Sequence, residues 1–337
     1  MFINELSNIN GVSGNEDEVR KFIIDKLKKL VDKFEIDSMG NLYAFKKGKK
    51  SGKKIMLAAH MDEVGFMVTG IEQSGDIRFR PVGGIEPLTC LSKRVIIGKN
   101  KISGVIGVKA THLNTIEEEK SVPKFESLRI DAGFSSKEEA SSKVNLGDYI
   151  AFDTEYYEEN GICTGKGFDD RAGCSILMDI AGMDFPYDTY LTFTVQEEVG
   201  LRGARIAGNR VFPDICIVVE GTGAGDFPSK RDIGSYPSLG SGPVITLLDR
   251  SLIVQKKLVD FLLNVAKDNR IPYQFKRPNI GATDAGRIHI SKTGVPSMVL
   301  AVPVRYIHSP CCIMLKRDYN NTLKLIEKGI ERIEEVI

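Results

Sequence analysis

The sequence predicts an α/β fold with a central, mostly parallel sheet and a small β-rich insertion. Three features carry this prediction. Short, nearly all-apolar runs such as Ile55 to Ala59 and Ile215 to Val219 have the composition of strands buried on both faces. Stretches of helical periodicity lie between such runs. From about Val68 to Glu158 that periodicity nearly vanishes, and short β runs broken by Gly, Asn and Pro replace it. The chain therefore divides into a discontinuous α/β domain, 1–67 and 159–337, and an inserted β-rich domain, 68–158.

Taken in order, Asn15 caps an acidic first turn, Glu16-Asp17-Glu18, and Val19, Phe22, Ile23, Leu27, Leu30, Val31 and Phe34 share one helical face. Gly40-Asn41 turns the chain into a strand from Leu42 to Phe45, and the central strand Ile55 to Ala59 follows, ending at His60-Met61-Asp62-Glu63. Within the insertion, Ile77 to Phe79, Arg94 to Ile97, Lys101 to Ile106 and Tyr149 to Phe152 read as strands. Gly98 to Lys101 reads as a hairpin connection, and Ser135 to Lys143 as a short serine-capped helix. A glycine-punctuated loop from Gly165 to Arg171 then leads into a helix from Ala172 to about Met183. Tyr190 to Gln196 is a strand, Leu201 to Gly208 a helix, Ile215 to Val219 a strand ending on Glu220, Leu252 to Val265 a helix, Ser297 to Val302 a strand, and Leu323 to Val336 a closing helix.

A chain of 337 residues that is 42% hydrophobic can bury a full core and form two domains. Its 46 basic and 45 acidic residues are well mixed and leave a net charge of +1, which gives no footprint for nucleic acid or anionic lipid. The six cysteines show no CxxC pairing and no disulfide framework. The N-terminal residues lack a basic region followed by an apolar one, and no apolar run approaches membrane-spanning length. A cytoplasmic, soluble protein is expected.

The chemistry concentrates where apolar strands end. His60, Asp62, Asp169, Glu197, Glu198, Glu220 and His308 all lie at such ends or in adjoining loops, and a parallel sheet would bring them to one edge. Nearly all are metal-ligand types, and two histidines among several carboxylates suit zinc, cobalt or manganese better than calcium or magnesium. If the strand continued past His60, the Asp62 carboxylate would share its face and orient the imidazole. Glu197 and Glu198 are neighbours whose side chains point in different directions, so one can bind metal while the other acts as general base. His112 and His289 have no carboxylate neighbour at a strand end and are set aside.

Rival chemistries fit worse. A glycosidase needs two carboxylates facing each other across a sugar at roughly 5 to 10 Å, and the chain has no Trp to stack a ring. Gly-x-Ser-x-Gly is absent, Cys311-Cys312 near His308 lacks a basic microenvironment, and Gly221-Thr222-Gly223-Ala224-Gly225 misses the third glycine of the dinucleotide fingerprint.

Seven ordered segments resemble the glutamyl and deblocking aminopeptidase family of dinuclear-metal peptidases, the tetrahedral aminopeptidases, some of which carry the label cellulase or endoglucanase. They are Asn10 to Glu16, Ala59 to Phe66, Val82-Gly83-Gly84, Asp169-Asp170-Arg171, Gln196 to Gly200, Thr283-Asp284-Ala285-Gly286 and Arg305 to Pro310. The resemblance implies a zinc-peptidase-like α/β sandwich with a PDZ-like dimerisation insert. It makes Asp169 a carboxylate bridging two divalent metal ions, His60 and Glu220 the other ligands of one, and Glu198 and His308 those of the other. Glu197 matches the general base acting on a metal-bridging water, and Asp62 the residue behind His60. Glu220 departs from the aspartate common in the family. The implied activity is removal of N-terminal residues from short peptides by a homo-oligomer, a dimer-based dodecamer. A metal-dependent deacylase or carboxypeptidase, an endoglucanase and an inactive metal-binding scaffold are the alternatives. Neither the preferred side chain nor the physiological metal is readable from sequence.

Overall fold

The computed structural model describes residues 1–113, 115, 121–227 and 236–337. In chain order the strands are β1 (Lys33–Ile36), β2 (Leu42–Lys46), β3 (Lys50–His60), β4 (Gly65–Ile71), β5 (Ile77–Val82), β6 (Arg94–Ile97), β7 (Ile102–Gly107), β8 (Arg129–Asp131), β9 (Tyr149–Phe152), β10 (Tyr157–Glu159), β11 (Ile162–Gly165), β12 (Tyr187–Thr194), β13 (Ile215–Gly223), β14 (Val244–Ile245), β15 (Gln274–Phe275), β16 (Ser297–Val304) and β17 (Cys312–Leu315).

One sheet runs in the order β1-β2-β12-β3-β13-β16-β14-β15. Its middle is parallel, β12 with β3, β3 with β13, and β13 with β16. Parallel neighbours end on the same side, so the C-terminal ends of four adjacent strands open onto one rim. Antiparallel pairing of β2 with β12 and of β14 with β16 makes the whole sheet mixed. The apolar composition follows from coverage: β16 is buried at every position, and helix Phe168–Ile180 packs on it, on β3 and on β13. Helix Arg202–Val211 packs on β12, and the short helix Ala285–Ile288 on β13 and β16.

The strands β4-β5-β8-β7-β6-β9 close a small barrel with its own apolar core. Phe66 sits edge-on to Phe79 and Phe152, with ring centroids 5.0 and 5.2 Å apart. Such pairs contribute about 0.5 to 1.5 kcal/mol each beyond the area they bury. A third sheet, β10-β11-β17, ties the segment after the barrel to the C-terminal part of the chain. The cysteines are free thiols, and no helix among the described residues is long and apolar enough to cross a membrane.

Several element boundaries differ from the sequence expectation. The first long helix spans only Asp17–Leu27, and Phe34 lies in β1, paired with Ala44. A turn that returns the Leu30 and Val31 N–H groups to the Leu27 carbonyl ends the helix, and sheet pairing then overrides the helical spacing of Phe34. Asn15 does not cap this helix; Glu16 holds the cap position and its side chain makes no capping bond. The helix expected from Ala172 starts at Phe168, with non-helical dihedrals at Asp169 and Asp170. The helix expected from Leu252 starts at Lys256, because Asp249 accepts the Ser251 and Leu252 N–H groups and holds a turn there. The closing helix runs Lys316–Glu331 rather than from Leu323, and its first turns are anchored by buried Asp318 and Tyr319. Finally, β3 stops at His60, so Asp62 lies beyond the strand.

Candidate metal centre

The rim gathers the candidate side chains from five separate parts of the chain. His60 is the last residue of β3 and Glu220 lies in β13. Glu197 and Glu198 follow β12, His308 follows β16, and Asp169 enters from the first turn of helix Phe168–Ile180. Two of these loops bend sharply: Gln196 and His308 are left-handed at φ 55° and 58°. A non-glycine residue there costs about 1 to 2 kcal/mol, a strain typical of residues whose position serves a site.

Asp169 is the hub. Its Oδ1 lies 3.2 Å from His60 Nε2, and its Oδ2 lies 3.4 Å from His308 Nε2. Glu220 Oε2 is 3.7 Å from His60 Nε2, and Glu198 Oε1 is 3.3 Å from His308 Nε2. Ligand atoms of His60, Asp169 and Glu220 fall within 4.8 Å of one another, as do those of Asp169, Glu198 and His308. Both groups could hold a cation, and they share Asp169. Glu197 Oε2 reaches only to 4.0 Å from His60 Nε2. The exposed His112 is not part of either group, and His289 Nδ1 is bonded to the Ala285 carbonyl.

Burial makes this concentration of acid unstable without compensation. It drives the carboxyls of Glu197 and Glu220 far above their usual range and raises Glu198. For Asp169 burial also pushes upward, but the His308 and His60 imidazoles outweigh it and hold the carboxyl low. Against burial, the carboxylates of Asp169 and Glu198 lift His308 to about 11, and Asp169 and Asp62 lift His60 well above an ordinary histidine. Buried Glu198 Oε1 and Glu220 Oε1 accept no hydrogen bond. Orphaned anionic acceptors beside imidazoles are what a divalent cation satisfies, so the residues present fit one.

Asp62 has a second task besides the one its spacing suggested. His60 Nδ1 bonds the backbone carbonyl of Asp62 at 3.0 Å, whereas the Asp62 carboxylate is 3.5 Å away. That carboxylate receives the backbone N–H of Glu197 on Oδ1 at 3.0 Å and of Glu198 on Oδ2 at 3.1 Å, with the Ser13 hydroxyl donating at 2.6 Å. It therefore fixes the Glu197-Glu198 segment. The second task arises because the strand ends at His60 and the chain turns.

Other participants had no readable signal. Asp170 is fully buried, accepts the His60 and Gly173 N–H groups, and is pushed far up by burial. Asp284, also buried, is raised to about 6 by burial and bonds the Thr194 hydroxyl. Both lie in segments of family resemblance, Asp169-Asp170-Arg171 and Thr283 to Gly286, where the sequence assigns them no role. Glu63 pairs with Lys166 at 2.6 Å and Arg171 at 3.5 Å and accepts the Gly11 N–H, clamping the N-terminal segment to the loop that carries Asp169. Glu16 accepts the Gly14 and Gln196 N–H groups, and burial followed by the Asp62 charge raises it to about 7. The barrel also reaches the site: a Cβ on Gly83 would stand 3.3 Å from Glu198 Cβ, and its φ of 89° favours glycine.

A cavity of about 460 Å³ opens beside Asp169, Glu197, Glu198, Glu220 and His308. The endoglucanase tm1049 of Thermotoga maritima, a solved structure, is 42% identical; the match covers 100% of this chain and 98% of that one, with a TM-score of 0.84. The TET1 peptidase of Pyrococcus horikoshii, which can assemble into a tetrahedron or a large octahedral shell, is 33% identical over 97% of each chain, with a TM-score of 0.84. Lysyl aminopeptidase of Pyrococcus furiosus is 34% identical over 96% of this chain and 94% of its own. Residues 40–325 match the model of the M42 glutamyl aminopeptidases, and with these relatives that match makes the chain a member of the M42 peptidase family.

Proposed function

We propose that the chain is a metal-dependent aminopeptidase that removes N-terminal residues from short peptides, with zinc, cobalt or manganese as its cation. The observation that carries this reading is the double engagement of Asp169, whose two oxygens face two different imidazoles. A carboxylate placed between two such groups fits a pair of cations. His60 and Glu220 would complete one ligand set, and Glu198 and His308 the other. When bound, the cations would supply Lewis acidity toward the scissile carbonyl and toward water.

The remaining steps belong to this chain's own residues. The Glu197 side chain lies in the cavity wall, where among the described residues its one ion-pair partner is His60 at 4.0 Å, and it is free to take a proton from the attacking water and deliver it to the leaving nitrogen. Its burial, which raises its proton affinity, suits a group that must hold a proton between those steps. Asp62 positions Glu197 and Glu198 through their backbone N–H groups. We read the large sheet and its helices as a zinc-peptidase-like sandwich made of 1–67 and 159–337. Segment 68–158 is then a PDZ-like module for dimer-based assembly toward a dodecamer, as its assembling relative suggests. A cytoplasmic setting, without nucleic-acid or membrane partners, completes the reading.

Chelation followed by restoration with zinc, cobalt or manganese tests it on a panel of aminoacyl anilides. The expected result is loss and recovery of turnover at two ions per chain, with N-acetylated anilides untouched. Cleavage of the acetylated substrates would reassign the chain as a deacylase. Saturation at one ion, unchanged by Asp169→Ala, would remove the shared carboxylate.

A further inference from the structure

Family membership does not select the N-terminal residue that the cavity accepts, since relatives act on residues of either charge by name. Two cations in the cavity wall do bear on it. Lys276 and Arg277 follow β15 and line the same cavity as Glu197, Glu198 and Glu220. The backbone there is fixed, because Lys276 N–H donates to the Ile245 carbonyl at 3.0 Å. Lys276 Nζ lies 3.6 Å from the point where a Cβ on Gly281 would stand, and Gly281 lines the cavity too. The Arg277 guanidinium stacks on Tyr236, 4.5 Å from the ring centroid.

Both side chains are half-buried, and among the described residues neither is paired with a carboxylate. This sets them apart from Arg305, held by Asp226, and Lys316, held by Glu158. A solvated surface pair is the ordinary use of adjacent basic residues. These two instead share a concave wall with apolar Leu201, Ile280 and Ile307, where water is partly excluded and an unpaired charge gains most from an anionic guest.

We propose that Lys276 and Arg277 recognise a carboxylate of the substrate. Two sources could present one within the cavity: the side chain of an N-terminal glutamate or aspartate, or the C-terminal carboxylate of a dipeptide. The apolar wall matches the methylenes of an acidic side chain, and the same two cations repel N-terminal lysine and arginine. The inference rests on the aminopeptidase reading and adds its substrate class.

The test compares kcat/KM for glutamyl, leucyl and lysyl anilides, and for Leu-Ala against Leu-Ala-amide, in the metal-restored protein and in the double variant Lys276→Met, Arg277→Met. Ratios between substrates are read, so a general loss of rate cancels, and metal content confirms that the variant keeps its site. A charge-assisted contact predicts a glutamyl-to-leucyl ratio that falls about 10- to 100-fold in the double variant, with the lysyl-to-leucyl ratio rising. A fall confined to the Leu-Ala over Leu-Ala-amide ratio would locate the recognised carboxylate at the C-terminus. Ratios that do not move in either series overturn the proposal. If the metal-restored protein cleaves none of these substrates, it is the aminopeptidase reading that fails.

Discussion

Replacing Asp62 by asparagine separates the two jobs that this residue could have. The substitution preserves shape and leaves the Asp62 backbone carbonyl, and with it the bond to His60 Nδ1, in place. What changes is the carboxylate, whose two oxygens accept the Glu197 and Glu198 N–H groups in the parent, with the Ser13 hydroxyl on one of them and the His60 ring 3.5 Å from the other. An asparagine side chain offers one acceptor and one NH2, so one of these two N–H groups must face a donor. Leaving a buried N–H unsatisfied costs about 1 to 3 kcal/mol, and the two charge-assisted bonds become neutral ones. Denaturant unfolding of the metal-free protein should show that loss. In the metal-restored enzyme, misplacement of Glu197 should lower kcat about 100-fold with a smaller change in KM. If Asp62→Asn instead keeps its stability and its rate, the carboxylate does not hold the Glu197-Glu198 segment.

Glu197→Gln should retain both cations and lose roughly 100- to 10,000-fold in turnover, as expected for a general base. Glu198→Gln should lose metal affinity, with excess metal restoring part of the rate; metal analysis and turnover on the same preparations decide, and the opposite pattern reverses the two roles. Glu16 binds its proton more tightly in the folded chain, at about 7 against an ordinary 4.5, so its contribution to stability is present below pH 4.5 and lost as pH rises through 7. The difference corresponds to about 3 kcal/mol, and Glu16→Gln should remove that much pH dependence from unfolding of the metal-free protein between pH 4.5 and 8. Identical pH profiles for Glu16→Gln and the parent would show that Glu16 titrates normally.

Much of this architecture is written locally. Val218 and Val219 announce a buried strand because both faces must be apolar, and Glu220 then stands out as a charge where none belongs. The same logic singled out His60 and the Glu197-Glu198 pair. It failed for Phe34, whose helical spacing is overruled by pairing with Ala44 on the next strand, a contact that helical periodicity alone does not register. It also missed Glu63, Lys166 and Glu16, since exposed and buried charges look alike in a sequence. The second task of Asp62 depended on the turn taken after His60, which brought its carboxylate onto two peptide groups as well as beside the imidazole.

The position of the candidate ligands along the chain has a consequence for biogenesis. Because His308 leaves the ribosome long after His60, neither the sheet nor the candidate ligand set can be completed until nearly the whole polypeptide is available. A cation captured by the finished rim favours only the fully folded form, by mass action. Its absence leaves several carboxylates crowded together in a dry setting, where mutual repulsion works against the fold. Metal supply would then govern how long each copy survives proteolysis as well as how fast it works.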